Sequence, residues 1–261
     1  MVIGMTEISI GIVTYNNEET IERTLDALFR FCPEEIPCRV YVIDNGSTDQ
    51  TLTKLANYQD DITMIRSDKG NVGFGAAHNL VLGQLDSTIH IIMNPDITLE
   101  DASTIPILYR YLIEHPDVGM VVPRILDENG ALQYLCRRQP TVLDLVIRFL
   151  PGHGFQKRKN YHTMKDMDYD RSFEVEFASG CFMVIRTSLI RQLGGFDEKY
   201  FLYVEDADLT RRVNQTAKTV YVPESVVRHV WQRASYKNPA VTRIHLKSLW
   251  HYFRKWGLRY K

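Results

Sequence analysis

Three short polar clusters interrupt apolar stretches in the first hundred residues: Thr14-Tyr15-Asn16, Asp44-Asn45-Gly46-Ser47 and Asn94-Pro95-Asp96. Singly, each reads as a turn, because Asn-Gly and Asn-Pro pairs are turn formers. Together they set polar groups along one rim of one sheet, where an Asp can accept hydrogen bonds from a base or a ribose. Much later, Glu205, Asp206 and Asp208 put three carboxylates within four residues. Acids at a helix start meet the macrodipole favourably. Repulsion inside such a cluster also raises one carboxylate toward the pKa of a useful general base. His229 reads either as a structural or surface histidine or as a partner of this chemistry.

A fourth element runs from Asn71 to Asn79, with Gly73 and Gly75 ahead of His78. Glycines there allow close approach of a ligand to the backbone, and a helix N-terminus favours anionic groups. The loop is superficially like the dinucleotide pattern G-x-G-x-x-G. His78 replaces the third glycine, however, and the loop follows the third strand rather than the first, so an NAD reading is rejected.

The elements that must position these residues alternate in the first half. Strands are expected at residues 8–13, 39–43, 62–65, 89–93 and 118–122, with helices at 18–31, 49–58, 74–85 and 102–114. Ser47 or Thr48 is placed to cap the second helix. That rhythm makes βαβ units and a mostly parallel sheet, with ligands beyond the carboxyl ends of the strands. The second half is less regular. A short helix is expected at 141–150, a long polar loop at 151–170 and strand at 173–186. Helix follows at 206–216, strand at 220–231 and a last helix at 239–256. There is no internal repeat or low-complexity segment. The expected class is α/β. Residues 1–125 are expected as a nucleotide-binding half and 126–238 as an acceptor-shaping half built onto it, with 239–261 expected as a basic amphipathic helix.

The chain of 261 residues has 44% hydrophobic and 24% charged residues, as a soluble globular protein does. It is long enough to bury about 70–75% of its unfolded surface without disulfides or structural metal. Cys32, Cys38, Cys136 and Cys181 are scattered with no Cys-x-x-Cys pair, so they read as idle or buried thiols. No run approaches a membrane span, and no signal peptide is read at the start, so the expected location is cytoplasmic. A net charge of −1 argues against a nucleic-acid binder. Residues 241–261 nevertheless hold six Lys/Arg and no Asp/Glu, leaving 25 basic against 32 acidic groups, net −7, in the rest. A basic tail on an acidic body points to an anionic membrane surface or a polyanion.

Residues 9–16, 43–49, 71–79, 93–96, 178–186 and 201–212 together form an ordered series that resembles family 2 glycosyltransferases of the GT-A fold, more narrowly their bacterial rhamnosyltransferase branch. The resemblance covers residues 8–256. It implies that Thr14, Asn16 and Asp44 line a nucleotide pocket with Asn71, Gly73, Gly75, Asn79 and Asn94, Asp44 accepting from N3–H of a uracil or thymine ring. Asn94-Pro95-Asp96 matches the metal-binding D-x-D motif, departing from it by carrying a neutral Asn94. Asp96 and His229 would then be ligands of a divalent metal: oxygen ligands suit Mg²⁺, and an imidazole tilts the choice toward Mn²⁺.

In the same resemblance Asp206 matches the catalytic base of an inverting transfer. Glu205 and Asp208 would orient the acceptor or the helix start, and Gly180 would let the acceptor approach the backbone or mark a strand kink. The implied donor is a nucleotide sugar, dTDP-rhamnose or alternatively a UDP-hexose or UDP-galactofuranose. The implied acceptor is a lipid-linked or growing surface polysaccharide. A non-catalytic nucleotide-sugar-binding subunit is the reading from another class, and Asn94 favours it. On a helical wheel Leu246, Leu249, Trp250, Phe253 and Trp256 share one face beside Arg243, Lys247, His251, Arg254 and Lys255. That face suits either a membrane interface or packing on the catalytic domain. Lys157 to Lys159 would add a second basic patch.

Overall fold

The computed structural model describes residues 7–149, 154–230 and 239–258. The chain runs β1 (Ile8–Thr14), α1 (Ile21–Phe31), β2 (Cys38–Asp44), α2 (Thr51–Leu55), β3 (Ile62–Arg66), α3 (Phe74–Asn79), β4 (Ile89–Met93), β5 (Ile97–Leu99) and α4 (Thr104–Glu114). It continues through β6 (Val118–Leu126), α5 (Val142–Phe149), α6 (Gln156–His162), β7 (Phe173–Glu174), β8 (Phe182–Arg186), α7 (Thr187–Gln192), α8 (Glu205–Val213), β9 (Lys218–His229) and α9 (Pro239–Trp256). The strands form one sheet in the order β3-β2-β1-β4-β8-β6-β9-β5, with β7 on β9.

The first four strands in that order are parallel, in the register Ile8–Cys38, Ile8–Ile89 and Val40–Ile62. β8 then enters antiparallel to β4 and to β6, while β6 and β9 run parallel. Strands β1 to β4 therefore form the expected parallel sheet, the fifth expected strand, β6, is set apart from them by antiparallel β8, and the whole is mixed. Because strand side chains alternate between faces, Ile8, Ile10 and Ile12 pack with Ile21, Leu25 and Leu28 of α1 on one side. Val13, Ile43 and Ile92 pack with Ala77, Val81 and Leu85 on the other. Thr14, Asp44 and Asn94 then fall at or just past the carboxyl ends of β1, β2 and β4.

Several expectations change in the second half. The stretch expected as strand at 173–186 splits into β7 and β8. The polar stretch expected as a loop contains α6, whose Arg158 turns onto Asp144 of α5 at 2.7 Å. Arg158 is thus consumed by an ion pair rather than adding to an open basic patch. The short β5, which pairs antiparallel with β9, was not anticipated. The expected helix end at residue 150, the start of the expected loop and the strand end at 231 lie outside the described residues. Cys136 and Cys181 are buried, Cys32 and Cys38 half-buried, and all four are free thiols.

Candidate active site

The ends of β1 and β2 carry buried polar atoms with no hydrogen-bond partner among the described residues. Thr14 is fully buried with an unpartnered hydroxyl, and Asp44 is fully buried with Oδ2 unpartnered. The other Asp44 oxygen accepts the Ser47 N–H at 3.1 Å, while Arg66 approaches Oδ2 only to 3.6 Å. Asn16 takes a left-handed backbone, φ 56°, and its side-chain oxygen accepts the Thr48 N–H at 2.8 Å, which ties the β1 and β2 turns together. Asn45 extends that tie to the glycine loop. Its amide donates to Asn71 Oδ1 at 3.0 Å and its oxygen accepts the Val72 N–H at 2.9 Å. A buried polar group without a partner is costly, so Thr14 and Asp44 mark a place built for something outside the chain.

The turn after β4 meets the end of β9. Asp96 Oδ1 has no hydrogen-bond donor and lies 3.4 Å from His229 Nε2. Gln133 fixes that imidazole from behind: its amide donates to the His229 carbonyl at 3.1 Å, and its oxygen pairs with His229 Nδ1 at 3.0 Å. Since that oxygen only accepts, Nδ1 carries a proton, which in the neutral imidazole turns the Nε2 lone pair toward Asp96. A carboxylate oxygen and an imidazole lone pair at this spacing, with no donor between them, fit one divalent cation. A ligating imidazole usually donates its other ring N–H to an acceptor behind it, the part the Gln133 oxygen takes here. Among the described residues no group of three or more His, Cys, Asp or Glu could hold a metal ion.

The start of α8 lies beside this turn. Asp206 is half-buried, and its Oδ2 accepts the Gly180 N–H at 3.1 Å; the carbonyl of the next residue, Cys181, accepts the Asn94 N–H at 2.9 Å. The candidate base and the Asn94 turn thus hang from consecutive residues of one strand entry. A Cβ at Gly180 would lie 3.2 Å from Phe74 and 3.4 Å from Asp206, so the Phe74 ring would have to give by a few tenths of an ångström. Burial raises Asp206 above its ordinary value, opposed by the Gly180 N–H, the Arg137 guanidinium and the Ala207 N–H. Burial, then the Asp206 charge, raises Glu205 well above the carboxylate range, and one Glu205 oxygen has no partner. Of the two, Asp206, bonded by N–H groups, is the more readily ionised. The helix is entered through Tyr203 and Val204 at φ 67° and 71°, a conformation costly for a β-branched residue and of the kind held at functional sites.

The glycosyl transferase family 2 model matches residues 9–194, from β1 through α7. The chain belongs to glycosyl transferase family 2. It is 29% identical over 251 residues to N-acetylglucosaminyl-diphospho-decaprenol L-rhamnosyltransferase of Mycobacterium tuberculosis, covering 90% of this chain and 80% of that one. It is 25% identical over 259 residues to rhamnosyltransferase WbbL of Escherichia coli, covering 94% and 92%. Solved structures share the GT-A fold. Staphylococcus aureus TarS 1–349 aligns with TM-score 0.61 at 17% identity, covering 95% of this chain and 72% of that one. GalNAc-T7 with UDP, GalNAc and Mn²⁺ aligns with TM-score 0.71 at 16% identity, covering 96% and 48%.

Within this glycosyltransferase, five of the expected site residues are engaged by the chain itself. Asp208 does not face the acceptor: it is 0% exposed and bonded by Arg212 at 2.8 Å, Lys255 at 3.0 Å and Trp256 at 2.7 Å. Asn79 is turned away from the rim, its amide and oxygen both engaged by the Phe196 backbone. Gly73 and Gly75 accommodate the chain rather than a ligand. A Cβ at Gly73, φ 94°, would sit 2.2 Å from the Phe201 carbonyl, and one at Gly75 would sit 2.7 Å from the Phe196 Cβ. Glu205 is buried and cannot reach out to an acceptor. Two residues were not anticipated: Gln133, and Arg137, whose guanidinium lies 5.5 Å from the Phe177 ring and makes no ion pair among the described residues. No sequence pattern singles out Gln133; Arg137 stood within a visible Arg-Arg pair.

Proposed function

We propose that this glycosyltransferase is an inverting, divalent-metal-dependent enzyme moving L-rhamnose from dTDP-rhamnose onto a lipid-linked or growing bacterial surface polysaccharide. The observation that carries the mechanism is Asp206 bonded to Gly180 N–H, one residue from the anchor of the Asn94 turn, whose Asp96 faces His229. The sugar is supported by two relatives named rhamnosyltransferases, which match nearly the whole chain. Lipid-linked acceptance is supported by the diphospho-decaprenol in one of those names. Residues 1–125 would hold the nucleotide sugar and 126–238 the acceptor.

In this reading Asp44 accepts N3–H of the thymine ring, once the exposed Arg66 side chain moves off its unpartnered oxygen. Thr14 and Asn16 lie beside it on the rim, and Asn94 contributes an amide to the donor. Asp206 removes the proton of an acceptor hydroxyl. The freed oxygen attacks the anomeric carbon opposite the departing diphosphate, so one C–O bond forms as another breaks and the centre inverts. No enzyme nucleophile is required. Asp96 and His229 would hold a cation, Mn²⁺ or Mg²⁺, whose chemistry is to neutralise charge on the leaving diphosphate. Arg137 adds positive charge beside Asp206 and favours its ionised form.

The test incubates the chain with Mn²⁺, dTDP-rhamnose or UDP-sugars and a lipid-diphosphate saccharide, and reads product mass. Rhamnosyl transfer is expected, falling by about 10²–10⁴-fold in Asp206→Asn. That variant should keep the rise in melting temperature given by dTDP. Normal turnover by Asp206→Asn would remove the base assignment, and transfer only from UDP-sugars would remove rhamnose.

A further inference from the structure

Helix α9 has two faces with different fates. Leu249, Tyr252 and Phe253 pack with Phe177, Tyr200, Val204 and Ala207, so this face belongs to the catalytic body. Ser248 donates to the Leu202 carbonyl at 2.8 Å, and Trp256 and Lys255 reach Asp208. Leu246 and Trp250, expected on the same face as Leu249, are instead 48% and 62% exposed, and Leu258 just beyond is 57% exposed. Arg243, Lys247 and Arg254 are exposed with them. Their spacing, 243, 246, 247, 250, 254, is that of one helix stripe. Arg254 lies over the Trp250 ring at 5.3 Å, and these three cations make no ion pair among the described residues.

A stripe of large apolar side chains among cations is poorly suited to water alone. Isolated exposed apolar residues are ordinary, but contiguous ones mark contact sites. Residues 239–258 carry four Lys/Arg and no Asp/Glu, so the complementary surface is anionic. Trp sits well at the boundary between headgroup and acyl chain, and Lys and Arg extend to reach phosphates. We propose that the outward stripe of α9, centred on Leu246 and Trp250, docks this protein onto an anionic phospholipid bilayer. The helix runs along that surface, since among the described residues none is long and apolar enough to cross a membrane.

The consequence lies in how α9 is fastened. Its other face holds the segment that opens α8, so a docked α9 sets Asp206 at a fixed height and tilt over the bilayer. The docking stands on the helix itself; its use for a membrane-borne acceptor rests on the function proposed above.

The experiment uses the full chain and vesicles of phosphatidylcholine, with and without phosphatidylglycerol. Binding is expected only with phosphatidylglycerol, weakening as salt rises. Brominated lipids should quench the tryptophan emission of the wild type, and Trp250→Phe should lose most of that quenching. Leu246→Glu with Trp250→Glu should weaken vesicle binding by about tenfold or more, with an unchanged melting temperature because both side chains are already in solvent. Wild-type protein that ignores phosphatidylglycerol vesicles, or a double variant that binds them normally, would overturn the proposal. So would a concentration-dependent dimer abolished by the double variant in the absence of vesicle binding, since the stripe would then belong to a second copy. Vesicle binding without any glycosyl transfer would overturn the function and leave the docking, whereas transfer to a soluble acceptor without vesicle binding would do the reverse.

Discussion

The indole N–H of Trp256 donates to Oδ1 of Asp208 at 2.7 Å, two residues beyond Asp206. Two residues on an α-helix is a turn of about 200°, so one carboxylate of α8 reaches the site while the other enters the core. There Asp208 also compensates Arg212 and Lys255. Removing the carboxylate by Asp208→Ala takes the counter-charge from Arg212, leaves Lys255 paired with Asp197 alone, and is expected to cost about 3–5 kcal/mol of stability. Trp256→Phe removes one charge-assisted hydrogen bond and should cost about 1.5–3 kcal/mol. Urea unfolding checks the order; a smaller loss for Asp208→Ala than for Trp256→Phe would refute the anchoring role.

Gln133 bears on the proposed cation site through His229. Gln133→Met keeps similar bulk but frees the imidazole to rotate or to carry its proton on the wrong nitrogen. Mn²⁺ affinity, read by calorimetry with dTDP present, should fall by about 10–100-fold, while dTDP binding without metal stays as in the wild type. An unchanged Mn²⁺ affinity would show that His229 needs no such support.

The strand–helix rhythm of residues 8–122 is legible because strands buried on both faces read as mostly apolar runs, such as Ile8 to Thr14 around Ser9 and Ile89 to Met93 around His90. Periodicity fails for β5, which has only three residues. It fails for α6 too, which buries no side chain and is held by the Arg158–Asp144 ion pair instead. At the site, the rim residues were visible as types and spacing. The partnership of Gln133 with His229 arises only when segments 96 residues apart meet in space. Spacing could also have separated Asp206 from Asp208, since on a helix they cannot face the same way.

Glu205 supplies a pH signature. With its folded pKa raised, the protonated form is favoured in the native state. Its stabilisation is therefore present below the ordinary glutamate value of about 4.3 and is lost as pH rises through the folded value. Glu205→Gln keeps the neutral shape and cannot ionise. Melting temperatures of variant and wild type should nearly coincide in acid, with the variant gaining as pH increases. A variant less stable than the wild type at every pH would mean that Glu205 is ionised and paired in the fold.

His78 gives the opposite limb. It is buried between Phe74 and Phe196 beneath the glycine loop, neither ring nitrogen has a partner, and burial, with His90 nearby, depresses its pKa to about 3. Between the ordinary value of about 6.5 and that depressed value, the unfolded chain takes up a proton that the folded chain refuses, so stability falls as pH falls. His90, lowered to about 4 by burial, adds to the same slope. His78→Leu removes one of these two protons without stranding a hydrogen-bond partner. Near pH 7.5 the variant should stay within about 1 kcal/mol of the wild type, and near pH 5 it should be ahead by about 2 kcal/mol, from roughly 1.4 kcal/mol per pH unit. Urea midpoints across that range decide the matter: parallel curves for the two proteins would mean that His78 already carries a charge in the folded state.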